Sequence, residues 1–79
     1  MNTKQKFLEL VLSDFLSKRD SLEMDFNMVL NDETMRVEKK KKQVINIISE
    51  MNEINGKIEI LSGFLLQVLP NNEDENNNN

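Results

Sequence analysis

Apolar residues recur through the first 30 residues at the spacing of one helix face. Four of them stand seven residues apart, and two more follow members of that repeat by four residues: Leu8, Phe15, Leu22 and Val29, then Leu12 and Phe26. Alternating steps of three and four residues place side chains on the same side of a helix. The pattern therefore predicts a first helix from about residue 3 to residue 30.

The second half of the chain carries a stricter pattern of the same kind. In a heptad frame all eight core positions are apolar, with Val44, Met51, Ile58 and Leu65 at position a and Ile47, Ile54, Leu61 and Val68 at position d. Gly56 and Gly63 both fall at position f, which faces away from a packed neighbour. Because the phase is unbroken across them, we expect one second helix from about residue 32 to residue 69, which Pro70 ends.

Four polar residues, Asn-Asp-Glu-Thr at 31–34, separate the two patterns. Such side chains cap helices and bond the backbone of turns, so we expect a tight turn in which Asn31 or Asp32 caps the second helix. The sequence thus predicts an all-α fold, an antiparallel two-helix hairpin of coiled-coil type. Since the turn has neither Gly nor Pro, one unbroken helix of about 65 residues is the competing interpretation.

A turn centred near residues 32 and 33 also predicts which residues of the two helices face each other. Residue i of the first helix should face roughly residue 65 − i of the second, which places Asp25 opposite Lys40, Phe15 opposite Met51 and Phe7 opposite Ile58. In this register the basic run after residue 38 lies beside carboxylates of the first helix. We expect that run to be a solvated segment that pairs with them.

Residues 70–79 contain no apolar side chain apart from the proline ring. A segment with nothing to bury is expected to be disordered. Its acidic and Asn-rich composition is typical of a solubilising tail, with an acidic interaction tail as the alternative.

Composition removes most catalytic and metal-binding chemistry. The 79 residues include no Cys and no His, so the thiol nucleophile and the commonest general base and metal ligand are missing. Ser17 beside Lys18 lacks the buried, positioned base that a serine nucleophile needs. Glu50 and Glu53, one helical turn apart, lack a calcium-binding loop. We expect no enzymatic activity, no cofactor and no metal site.

Apolar residues outnumber the positions that one hairpin can bury. Ten lie off both core patterns: Leu10, Leu16, Met24, Met28, Ile45, Ile48, Ile60, Phe64, Leu66 and Leu69. A monomeric hairpin would expose them, so we expect a homo-oligomer, most simply two hairpins in a four-helix bundle, and binding to another protein. The predicted oligomer or partner interface comprises Leu8, Leu12, Phe15, Leu22, Phe26, Val44, Ile47, Met51, Ile54, Ile58, Leu61, Phe64, Leu65, Leu66, Val68 and Leu69.

Five basic residues form the most conspicuous charged segment and a candidate anion-binding site: Arg36, Lys39, Lys40, Lys41 and Lys42. Four successive helical residues point around the whole circumference, and no aromatic side chain lies among them to stack on a base. The net charge of −4 also opposes binding to nucleic acid. These observations count against nucleic-acid binding, so a nucleic-acid-associated factor that uses this patch is the alternative function and not the leading one.

The leading functional prediction is a small, non-enzymatic helical interaction module: a regulator, adaptor or assembly factor. The apolar runs are too short for a signal peptide or a membrane span, which predicts a cytoplasmic protein. Twelve Asn, eight Lys and no Ala are typical of an AT-rich genome and suggest a low-GC bacterium or its phage. The net negative charge of the chain leaves one further alternative, an acidic inhibitor that occupies the nucleic-acid groove of a host enzyme.

Overall fold

The hairpin is confirmed by a computed structural model, which describes residues 3–69. Two helices, α1 (Thr3–Asn31) and α2 (Val37–Val68), pack against each other, and no strand occurs in that range. The alternative of one unbroken helix is wrong. Neither helix has a stretch within the described range that is apolar enough to cross a bilayer. The predicted tail, residues 70–79, lies outside the described residues.

The core lies between the two helices and uses both predicted apolar patterns. Leu22 and Val29 of α1 and Ile47 and Ile54 of α2 form its buried centre. Half-buried side chains pack around this centre: Phe15, Phe26, Met35, Val44, Met51 and Ile58. No polar side chain is buried among the residues described. The rotation of each helix about its own axis is therefore set by burial of its apolar face.

The turn spans residues 32–36, so α2 begins at Val37 and not near residue 32 as predicted. Asp32 does not cap α2. Its carboxylate Oδ1 accepts hydrogen bonds from the Thr34 backbone N–H (2.9 Å) and the Thr34 hydroxyl (2.6 Å). Arg36 has extended backbone at the N-cap position and makes no side-chain capping bond. Asp32 thus stabilises the turn, and α2 begins only after the turn, at Val37.

The later turn also changes the register between the helices. Lys18 Nζ lies 3.8 Å from Glu50 Oε1, whereas the predicted register placed Lys18 opposite Ile47. The shift of three residues is close to one helical turn. Phe7, predicted to meet Ile58, is 63% exposed. The predicted pairing of Lys40 with Asp25 is wrong too, because Lys40 Nζ instead donates to the backbone carbonyl oxygens of Leu30 and Asp32.

The hydrogen bonds within the turn lower the pKa of the Asp32 carboxyl below its ordinary value. The Thr34 hydroxyl is the largest cause, followed by backbone N–H donors of Thr34 and Met35 and by the charge of Lys40, while partial desolvation opposes them. Each donor favours the ionised carboxylate. Because the folded-state pKa is the lower one, this stabilisation is present above the unfolded-state pKa. It is lost as pH falls through the folded-state pKa.

Thr34→Val removes the hydroxyl donor, so we expect the pKa of Asp32 to rise toward its ordinary value. The carboxyl carbon of Asp32, followed by NMR through an acid titration, reports the change directly. Thr3→Val is the matched control, because Thr3 lies at the start of α1 and does not bond Asp32. An Asp32 pKa equally low in both variants would contradict the assignment.

Candidate protein-interaction surfaces

The sixteen residues predicted to form a partner interface divide into two groups. Thirteen are buried or half-buried within the hairpin itself, and three near the C-terminal end of α2 are exposed: Phe64, Leu66 and Leu69. The core faces of the two helices already cover each other. A surface available to a partner must therefore lie mainly outside the core patterns.

Exposed apolar side chains are abundant on the rest of the hairpin. Over the described residues, twelve large ones are exposed: Phe7, Leu10, Met24, Met28, Leu30, Val37, Ile45, Ile48, Ile60, Phe64, Leu66 and Leu69. They include every residue predicted to lie off the core patterns except Leu16, which is half-buried. Phe7, Leu30 and Val37 were missed. Phe7 directly precedes Leu8 in the core repeat, so the periodicity itself could have placed it outside.

Four of these residues form what we call the α1 outer stripe: Phe7, Leu10, Met24 and Met28. Their spacings place them on one side of α1, and Asp14, Ser17 and Ser21 continue the same line between them. Each of the four is more than 60% exposed. The stripe therefore presents apolar side chains toward both ends and small polar ones in the middle.

A second set forms the α2 outer stripe: Ile45, Ile48, Leu66 and Leu69. The line between them is completed by Asn52, Asn55, Glu59 and Ser62 at steps of three and four residues. Leu66 is 73% exposed, the largest value among the exposed apolar residues. This stripe also has apolar ends and a polar middle.

The two outer stripes lie on opposite flanks of the hairpin. Met28 of the α1 outer stripe shares a groove with Gln43 and Asn46 of α2. Successive residues are about 100° apart around the helix axis. Around the axis of α2, Ile45 therefore lies roughly 100° from Asn46, and Ile48 roughly 140° from Gln43. The α2 outer stripe thus faces away from that groove, and the two stripes are able to contact different partners.

The candidate anion-binding residues are split by their contacts. Lys40 is half-buried, and its Nζ donates to the backbone carbonyl oxygens of Leu30 (2.9 Å) and Asp32 (3.1 Å). Lys41 Nζ lies 3.8 Å from Glu38 Oε1 one turn earlier in α2. Within residues 3–69, no ion pair is formed by the exposed Arg36, Lys39 or Lys42. The expected pairing of the basic run with α1 carboxylates is therefore wrong.

Lys40 stabilises the hairpin by donating to a carbonyl in the last turn of α1, at Leu30, and to a carbonyl of the turn, at Asp32. Lys40→Met keeps the aliphatic stem but removes the ammonium, so we expect the free energy of unfolding to fall by about 0.5–1 kcal/mol. Urea unfolding followed by circular dichroism measures the change. Lys42→Met removes an ammonium that is exposed and unpaired in the described structure, and should be close to neutral. Equal losses in the two variants would contradict the capping role.

The comparisons with known proteins found no relative. No protein-family model matches the chain, nor does any curated protein or solved structure. No group of three or more potential metal-ligating side chains lies together among residues 3–69. The surfaces of the hairpin are therefore the features that bear on its function.

Proposed function

We propose that this protein is a small, non-enzymatic helical interaction module, a regulator, adaptor or assembly factor. It acts by packing its outer stripes against helices of other protein chains. The observation that supports the proposal most strongly is the set of twelve exposed large apolar side chains, eight of them in the two stripes. Extended apolar surface on a small chain marks a site of protein association.

The mechanism is helix packing, in which a partner covers an outer stripe with apolar side chains of its own. Full burial of a Leu, Ile, Phe or Met side chain contributes about 1.5–3 kcal/mol. Association itself costs on the order of 4–15 kcal/mol. Four side chains therefore give modest affinity, and stronger binding requires contacts along the whole stripe. Met24 and Met28 suit such a surface because flexible thioethers adapt to differently shaped partners.

A photo-crosslinking side chain introduced at Met24 or Leu66 tests the proposal in the native host. We expect covalent adducts with protein chains from both positions, because both lie on outer stripes. Asn27 on α1 and Glu53 on α2 are the matched controls, since both are exposed and lie off the stripes. If the stripe positions give no more adducts than the controls, the proposed function is wrong.

In the part of the chain that the structure describes, Arg36, Lys39 and Lys42 are exposed and form no ion pair, which keeps the nucleic-acid-associated factor as a second candidate. A shallow groove lined by these residues also includes Val37, Glu38, Lys41 and Ile45. The double variant Lys39→Gln, Lys42→Gln separates the two functions. Loss of salt-sensitive duplex binding without loss of protein association favours this second candidate. Absence of duplex binding by the unmodified chain removes it.

A further inference from the structure

We propose that the α2 outer stripe binds the same stripe of a second copy of this chain, with the two α2 helices antiparallel. The inference rests on the proposed function for its premise that the stripes bind protein. Beyond that premise, one partner is a second copy of the chain, the surface is the α2 outer stripe, and the packing is antiparallel. The α1 outer stripe, on the opposite flank, stays accessible in this arrangement.

The order of residues along the α2 outer stripe is self-complementary in the antiparallel direction. A twofold axis near residue 57 pairs apolar with apolar at both ends and polar with polar in the middle: Ile45 with Leu69, Ile48 with Leu66, Asn52 with Ser62, and Asn55 with Glu59. A twofold interface requires this reciprocity, because each patch meets its own copy. Parallel packing would instead place Glu59 against Glu59 and Lys41 against Lys41.

Charges beyond the ends of the stripe favour the same direction. Residues 36–42 hold five basic side chains and one acidic one, whereas residues 73–75 read Glu-Asp-Glu. In the antiparallel dimer Leu69 of one copy lies beside Ile45 of the other, one turn from Lys41. Glu73 follows Leu69 by four residues, a chain length of at most about 13 Å, which is long enough to reach the partner's basic residues.

The same acidic residues cannot reach the basic run of their own chain. Leu69 and Lys42 are 27 residues apart along α2, about 40 Å at 1.5 Å per residue. Glu75 follows Leu69 by six residues, and a chain of that length spans at most about 20 Å. The two oppositely charged segments therefore cannot meet within one chain, whereas antiparallel packing of two copies brings them close together. This charge complementarity is the reason to infer that the α2 outer stripe binds a second copy of the chain and not an unrelated protein.

Single-cysteine variants of the full chain test the arrangement, because the sequence has no native cysteine. Asn52→Cys and Ser62→Cys are mixed and oxidised, and the products are separated under non-reducing conditions. We expect the mixed 52–62 disulfide and little 52–52 or 62–62 product, since identical positions are about 15 Å apart along the axis in this register. Ser17→Cys, in the middle of the α1 outer stripe, is the matched control and should not form a dimer.

Each other result overturns the inference in a distinguishable way. Predominant 52–52 and 62–62 products show parallel packing, and a Ser17 crosslink without the mixed product shows that the α1 outer stripe is the self-associating face. If no crosslink forms and light scattering gives the mass of a single chain, no dimer forms. In that last case, protein adducts from the Met24 photo-probe would leave the proposed function standing, whereas their absence would remove both.

The acidic residues provide a second test that leaves the hairpin untouched. Glu73→Gln, Asp74→Asn and Glu75→Gln together should weaken dimerisation roughly threefold to tenfold at low salt, the range expected for a few exposed ion pairs. The unmodified chain should approach the variant's affinity at high salt because screening weakens such pairs. Equal affinity of both chains at low salt overturns the charge argument for antiparallel packing.

Discussion

Leu22→Ala is expected to lower the free energy of unfolding by about 2–4 kcal/mol. Leu22 is the most buried of the core side chains, with 3% exposure, and it lies with Ile47 and Ile54 at the centre of the contact between the helices. Alanine removes apolar contacts and leaves a cavity. A domain of this size has a total stability on the order of 5 kcal/mol, so the substitution removes a large share of it.

Leu10→Ala is the matched control for Leu22→Ala. It removes the same atoms from the same helix, but Leu10 is 62% exposed, so we expect a change below about 0.5 kcal/mol. Both variants are unfolded in urea at one fixed protein concentration, because association would add a concentration-dependent contribution. Circular dichroism reports the transition, as the chain has no Trp or Tyr. Similar losses for both variants would show that α1 buries a different face.

Gly56→Ala and Gly63→Ala together are expected to raise the free energy of unfolding by about 2 kcal/mol, roughly 1 kcal/mol at each site. Both glycines lie inside α2, and neither has a positive φ. A methyl group added at either position meets no atom within 4 Å. Neither backbone geometry nor packing within the described residues therefore requires glycine, and alanine restricts the unfolded chain at no cost to the folded one.

Thermal or urea unfolding of the double variant checks this prediction. Ser49→Ala, at the preceding f position of α2, is the control. It should change stability far less, because serine and alanine differ less in helix propensity than glycine and alanine. A double variant that is less stable than the unmodified chain would contradict the structure. It would mean that the glycines are approached closely by another chain.

The rotation of each helix could be predicted from the sequence, whereas the position of one helix along the other could not. Burial selects one face of α2, and eight apolar heptad positions define that face without ambiguity. Sliding α2 by one turn changes which apolar residues meet but leaves the same face buried. The length of the turn sets the position of α2 along α1. That length depends on Asp32, whose side chain bonds Thr34 instead of capping α2.

The same distinction explains which surface residues were predicted. Met24, Met28, Ile45 and Leu66 lie off the heptad pattern, so their exposure follows from periodicity alone. The role of Lys40 did not follow, because its carbonyl partners at Leu30 and Asp32 become neighbours only through the turn. The basic run was consequently assigned to carboxylates of α1 that it does not contact.

The proposed self-association would link the exposed stripes to the charge pattern of the whole chain. The core between α1 and α2 leaves apolar residues on both flanks, and the α2 outer stripe ends between segments of opposite charge. A dimer through this stripe would cover Ile45, Ile48, Leu66 and Leu69 and give four packed helices in total. The α1 outer stripe would then be the surface on which such a dimer binds other proteins.

The solution mass of the unmodified chain tests the central claim, self-association through exposed apolar surface, most directly. Light scattering coupled to size-exclusion chromatography suits it, with refractive-index detection because the chain lacks Trp and Tyr. At micromolar concentrations we predict twice the 9.2 kDa chain mass, and a return toward the single-chain mass in the double variant Ile48→Asp, Leu66→Asp. A stable, folded species of 9.2 kDa over the same concentrations would contradict the account.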